Sequence, residues 1–176
     1  STVIDVLPTP KVLRGDSAKS KDIGLSVLIL CTGNTCRSPL AAEIIKTEIA
    51  SSWQVSREEL ADFGFVIESA GTLALEGQGI SENSKLVGYE IGLNLSSHQT
   101  QSLEAALKKP WDIILAMGPN HLAALPSKSP AALFDSSGQD IKDPMGGDIE
   151  QYRDTRELLQ EAAHLWVSEL SSWPQR

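Results

Sequence analysis

The chain has 176 residues, 41% of them hydrophobic, which is enough for one domain with a buried core. Its net charge of -8 and pI near 4.8 argue against binding to nucleic acid or to an anionic membrane, since both require a positive surface. No apolar run reaches the roughly 18 residues of a membrane span and no charged-then-apolar leader opens the sequence, so a cytoplasmic location is expected.

In chain order, residues 1–24 read as a leader and residues 25–176 as one domain. Short apolar runs at Ser26 to Leu30, Phe65 to Ser69, Asp112 to Ala116 and Ala131 to Phe134 are the strand candidates, as buried parallel strands tend to be. Helix candidates lie between and after them, at Pro39 to Trp53, Glu82 to Ile91, Leu103 to Lys108, Asn120 to Leu125 and Ile149 to Leu170. The segment from Ser51 to Asp62 reads as a helix end plus a connection. In the last helix Tyr152, Thr155, Leu159, Ala163, Trp166 and Leu170 recur at three- or four-residue steps and form one apolar stripe. This alternation predicts an α/β fold with a doubly wound sheet, whose ligands sit beyond the carboxyl ends of the strands.

Cys31 lies at such an end. The run Cys31-Thr32-Gly33-Asn34-Thr35-Cys36-Arg37-Ser38 is a Cys-x5-Arg loop between the first strong strand and a helix. Backbone N–H groups turned inward and the positive end of the helix make a cradle for a tetrahedral oxyanion. Next to those dipoles and Arg37, the Cys31 thiol is expected well below its free value, which makes it a nucleophile toward phosphorus. The chain's two cysteines are too few for a disulfide framework or a structural zinc site, and reduced thiols are expected. Cys36 has two readings: a thiol that captures an oxidised Cys31 as a disulfide, or a small packing residue. His121 and His164, on presumed helices, read as packed or solvated surface residues.

The loop through Pro39, with Glu68-Ser69-Ala70-Gly71, Asp112 through Met117 and Asp143-Pro144, resembles the low-molecular-weight protein tyrosine phosphatase family from about Ser26 to Leu170. The resemblance implies a three-layer fold: a four-stranded parallel sheet, doubly wound, with helices on both faces. It also implies a two-step mechanism through phosphocysteine on a phosphorylated protein substrate. By position, Cys31 is the nucleophile and Arg37 offers a charged planar fork to the phosphoryl oxygens. Thr32, Gly33, Asn34, Thr35, Cys36 and Ser38 complete the phosphate cradle, with Asn34 and Ser38 bracing it. Ser69 and His98 match positions of the same bracing network, although a purely structural role for His98 stays open. Asp143 matches the general acid, which protonates the leaving group and later activates water. No metal or organic cofactor is implied.

Two departures from the tyrosine-specific pattern point to the bacterial protein arginine phosphatase branch. Met145-Gly146-Gly147 follows Asp143-Pro144 where tyrosine-specific members place aromatic residues, and Thr35 stands where they usually carry a bulkier aliphatic one. Thr35 and Met145 are therefore the expected specificity residues, with the Thr35 hydroxyl expected on Asp143 or on a water. A tyrosine or small-molecule phosphomonoesterase is the alternative, and a phospho-binding module without turnover is a third reading. An arsenate reductase would need further cysteines for its relay. Residues 1–15 are similar to the end of a threonylcarbamoyl-adenylate synthase domain, which suggests fusion to an upstream domain.

Overall fold

The computed structural model describes residues 3–5, 11–14 and 24–171. The expected leader therefore lies largely outside the described residues, as does the stretch 172–176 of the expected domain. Within it, β1 (Val3–Asp5) and β2 (Lys11–Arg14) pair antiparallel, where the sequence shows only a leader.

β3 (Ser26–Cys31) is apolar on both faces, with Val27 and Ile29 in one half of the core and Leu28 and Leu30 in the other. Successive side chains of a strand point to opposite sides, so the fully buried run Val27 to Leu30 marks a strand covered twice. β3 lies between β4 (Val66–Gly71) and β5 (Ile113–Ala116), and β6 (Ala131–Leu133) pairs with the other edge of β5. All four strands are parallel, in the order β4-β3-β5-β6. This is the expected four-stranded sheet.

α1 (Arg37–Trp53) covers one face with Leu40, Ile44, Ile45 and Ile49, and α5 (Ile149–Ser171) adds Leu159, Ala163 and Val167 to the same half of the core. Each fully buried Leu or Ile of this kind contributes about 1.5–3 kcal/mol. α3 (Leu103–Ala106) and Trp111 close the opposite face against Leu28, Leu30, Ala70 and Ile114. The stripe predicted on α5 is buried at Tyr152, Thr155, Leu159 and Ala163 and half-buried at Trp166. The Leu170 side chain lies outside the described residues.

α1 stops at Gln54, whose φ of 54° is left-handed, and a 3-10 helix (Glu58–Phe63) follows, ended by Gly64 at φ 85°. The connection is short because Trp53 holds it: Phe63 and Phe65 pack edge-on against its ring, with centroids 5.6 and 4.7 Å away. Beyond the sheet, α2 (Glu82–Tyr89) starts at Ser81, and α4 (Pro119–Ala123) starts just after β5. α5 opens on a reciprocal cap in which Asp148 Oδ1 accepts the Gln151 N–H and Gln151 Oε1 accepts the Asp148 N–H.

Candidate active site

β3 ends at Cys31 and α1 begins at Arg37, so five residues turn the chain back over the carboxyl edge of the sheet. The turn requires a left-handed residue, and Asn34 supplies it at φ 55°. Asparagine tolerates this region better than other side chains. Asn34 is fully buried and saturates its amide. Its Nδ2 donates to Ser38 Oγ at 2.9 Å and Ser69 Oγ at 2.8 Å, while its Oδ1 accepts the Gln101 N–H at 2.8 Å. His98 Nε2 lies 2.8 Å from the Asn34 carbonyl oxygen. The bracing expected of Asn34, Ser38, Ser69 and His98 is thus one connected network.

The loop also presses onto β4. A Cβ on Gly71 would come within 2.5 Å of the Thr32 carbonyl oxygen and 2.8 Å of the Asn34 nitrogen. Only glycine admits this approach. Thr72 and Leu73 then donate their N–H groups to the carbonyls of Cys31 and Thr32, both at 2.9 Å, which ties the mouth of the loop to the segment after β4.

Cys31 Sγ is buried, 3.0 Å from Ser38 Oγ and 3.3 Å from the Asn34 N–H. The expectation of a depressed thiol pKa is not met: burial pushes the Cys31 thiol up. The Ser38 hydroxyl and N–H, Arg37 and the Asn34 N–H pull the other way, and desolvation outweighs them. Ser38 has one hydroxyl proton and two acceptors within reach, Cys31 Sγ and the Ala70 carbonyl at 3.3 Å. A thiol at Cys31 donates to Ser38, whereas a thiolate accepts from it.

Arg37 is almost fully buried and held on two sides. Its Nη1 donates to the Ile141 carbonyl at 2.7 Å, and its Nη2 donates to Asp143 Oδ2 at 2.5 Å and to Thr32 Oγ1 at 3.3 Å. Ile141 is placed by the sheet, because its N–H donates to the Met117 carbonyl beyond β5. That anchor delivers Asp143 two residues later. Asp143 Oδ1 accepts the Met145 N–H at 3.2 Å, so each carboxylate oxygen has a partner and Asp143 itself remains partly exposed.

Thr35 does not reach Asp143. Its Oγ1 lies 3.6 Å from Cys36 Sγ and its carbonyl accepts the Ser81 N–H, while Asp143 is occupied by Arg37 and Met145. Cys31 and Cys36 are both free thiols in different surroundings. Cys36 Sγ faces Ser81 Oγ at 3.2 Å and Tyr152 Oη at 3.8 Å, away from the Ser38 partner of Cys31. Met145 is exposed beside a groove between the Asp143 to Gly147 turn and α5, to which Asp140, Gln151 and Asp154 also contribute.

His121 is the site residue that sequence reasoning missed. It is 2% exposed on α4, and its Nε2 lies 2.9 Å from Thr32 Oγ1. A signal existed: a residue one turn past the carboxyl end of β5 stands on the ligand edge of a doubly wound sheet. His164, by contrast, is exposed as expected, 3.5 Å from Glu48. No cluster of metal-ligating side chains occurs, and no helix is long and apolar enough to cross a membrane, among the described residues.

The family model of low molecular weight phosphotyrosine protein phosphatase matches residues 26–175. A low molecular weight protein-tyrosine-phosphatase of Salmonella typhi is 29% identical over 153 residues, 83% of this chain and 94% of the relative. A protein-arginine-phosphatase of Geobacillus stearothermophilus is 31% identical over 143 residues, 76% of this chain and 88% of the relative. The solved YwlE arginine phosphatase of the same organism aligns with a TM-score of 0.72 at 29% identity, over 86% of this chain and 96% of that one. The resemblance of residues 1–15 to a synthase domain finds no support in these matches. With the family model matching residues 26–175, the chain belongs to the low molecular weight phosphotyrosine protein phosphatase family and is a phosphatase.

Proposed function

We infer that this phosphatase removes the phosphoryl group from phosphoarginine in proteins, with Cys31, Arg37 and Asp143 as its catalytic residues. Cys31 releases its proton to solvent, the Ser38 hydroxyl turns to donate to the sulfur, and the thiolate attacks phosphorus, forming the S–P bond as the P–N bond breaks. Asp143 gives its proton to the departing guanidine nitrogen, so that arginine leaves without negative charge. Arg37 and the N–H groups of residues 32–38 hold the equatorial oxygens in the transition state. Asp143, now a carboxylate, takes a proton from water, and the hydroxide displaces Cys31 to release phosphate. The chemistry requires Cys31 as a free thiol and accords with a cytoplasmic location.

The observation that carries the arginine reading is the wall beside Asp143. Its lining includes Asp140, Asp143, Asp154, Gln139 and Gln151, which outnumber the one lining cation, Lys142, and none of the lining side chains is aromatic. Carboxylates and amides suit a polar guanidino group that gains a positive charge on leaving, whereas a phenyl ring gains nothing from them. Met145 is exposed and unbranched, fit to lie along an arginine stem. Thr35, half-buried in the loop, contributes a small polar surface next to Cys36.

A protein tyrosine phosphatase is the second reading. It is favoured by Leu73, 77% exposed at the loop's rim, where its N–H binds the Thr32 carbonyl. The relative from Salmonella typhi carries that name. Comparison of kcat/KM on matched peptides bearing phosphoarginine or phosphotyrosine separates the two, with Cys31→Ser as the blank and Thr35→Ile alongside. The arginine reading expects preference for phosphoarginine, diminished in Thr35→Ile. Preference for phosphotyrosine, unchanged by Thr35→Ile, sinks it.

A further inference from the structure

Arg37 depends on a neighbour that is itself held from behind. Its Nη2 has two partners, Asp143 Oδ2 and Thr32 Oγ1. If Asp143 is to deliver a proton to the leaving group, it must let go of the guanidinium, and only Thr32 then keeps Nη2 in place on the protein side. A threonine hydroxyl turns freely unless its proton has a fixed acceptor. His121 Nε2, 2.9 Å away, is placed to be that acceptor when the ring proton is on Nδ1.

Thr32 Oγ1 accepts from Arg37 and keeps one proton to give; with the ring proton of His121 on Nδ1, that proton goes to Nε2. Nδ1 is buried and makes no well-formed hydrogen bond among the described residues. Burial and the Arg37 charge oppose protonation, while Asp140, Asp143 and the Gly118 backbone favour it more weakly. A hydroxyl that donates is also a better acceptor, which strengthens the bond from Arg37.

We propose that His121 is a positioning residue for the reaction: through the Thr32 hydroxyl it fixes the orientation of the Arg37 fork while Asp143 is engaged with the leaving group. It touches neither substrate nor the reacting atoms. The inference rests on the reading of Arg37 as the phosphoryl-binding group. It adds a third layer to the site, reaching from the loop into α4.

The test is steady-state kinetics of the full chain on p-nitrophenyl phosphate, with vanadate as a transition-state-like inhibitor and thermal melting as the control for folding. His121→Leu is expected to lower kcat and weaken vanadate inhibition about tenfold each, the loss of one hydrogen bond, with KM changed far less. His121→Gln, which restores an acceptor at the Nε2 position, recovers most of both. Thr32→Val reproduces the loss with His121 intact, and the double variant His121→Leu/Thr32→Val is no worse than either single one. Additive losses, a Gln variant no better than Leu, or full activity in Thr32→Val would overturn the proposal. Arg37→Lys separates the two levels. If it keeps wild-type activity, the reading of Arg37 fails; if it is inactive while His121→Leu is unaffected, only the role of His121 fails.

Discussion

Arg37 Nη2 and Asp143 Oδ2 lie 2.5 Å apart, so the guanidinium and the candidate acid form an ion pair across the mouth of the loop. A phosphoryl group entering the cradle competes with Asp143 for the same N–H groups. In the proposed mechanism the displaced Asp143 turns toward the leaving group, and the Met145 N–H on its Oδ1 is the tether that would keep it there. Asp143→Asn is therefore expected to cost roughly 10²–10⁴ in kcat on a phosphoarginine peptide, the usual range for a general acid. On p-nitrophenyl phosphate, whose leaving group needs no proton, the loss is expected to be much smaller. Equal losses on the two substrates would remove the acid role.

Ser38 is expected to control the ionisation of Cys31. Its hydroxyl and N–H are the first two groups that draw the buried thiol back down. Ser38→Ala removes the hydroxyl and leaves desolvation less opposed, so the thiol titrates higher. The pH dependence of iodoacetate inactivation reads this directly: the curve moves to higher pH in the variant and the rate at neutral pH falls. A curve that does not move would mean that Ser38 braces the loop without acting on the thiol.

Gly71→Ala places a methyl carbon against the Thr32 carbonyl and the Asn34 nitrogen, both backbone atoms. Neither side has a flexible end to give way. The expected cost is about 1–3 kcal/mol of stability, as for other overpacked sites. A larger proportional loss of kcat is expected, since the displaced segment is the cradle itself. A variant with wild-type kcat would show that the loop tolerates movement at Thr32. Denaturant unfolding beside steady-state kinetics separates the two effects.

His98 and His121 both titrate below the ordinary histidine value, chiefly because burial disfavours the charged ring. Between the depressed folded value and the ordinary histidine value of 6.5, the unfolded chain binds more protons than the folded one. Stability therefore rises with pH through this window and is lost as pH falls below about 6.5. Melting temperatures recorded from neutral pH downward should begin to drop there, before carboxylates titrate, and the drop should flatten in His98→Gln. An unchanged profile in that variant would show that its protonation costs nothing.

The cradle was legible because it is local: one strand, five loop residues and one helix carry Cys31, Asn34, Arg37 and Ser38 in a single stretch. Asp143, Ser69 and His98 lie far away in sequence, and motif resemblance gave their place. The contacts that neither route supplied run between distant elements. The Ile141 carbonyl on Arg37, the Gln101 N–H on Asn34 and His121 on Thr32 depend on where segments beyond β4 and β5 return to the sheet edge. Spacing within the sequence carries no record of that. The Thr35 hydroxyl is not on Asp143 for a related reason: it rests near Cys36, and Arg37 and Met145 hold Asp143. For the Cys31 thiol, dipoles are visible in a motif, whereas burial by the surrounding fold, which pushes it up, is not.

The most direct test of the account is to find the phosphoryl group on Cys31 during turnover of a phosphoarginine peptide. Mixing the protein with excess peptide, quenching in denaturant within milliseconds and mapping by mass spectrometry should place one phosphoryl group on the peptide that carries Cys31. It should be absent in Cys31→Ser. Turnover of phosphoarginine without that adduct, or turnover retained in Cys31→Ser, would contradict nucleophilic catalysis by Cys31; no turnover of phosphoarginine at all would contradict the substrate.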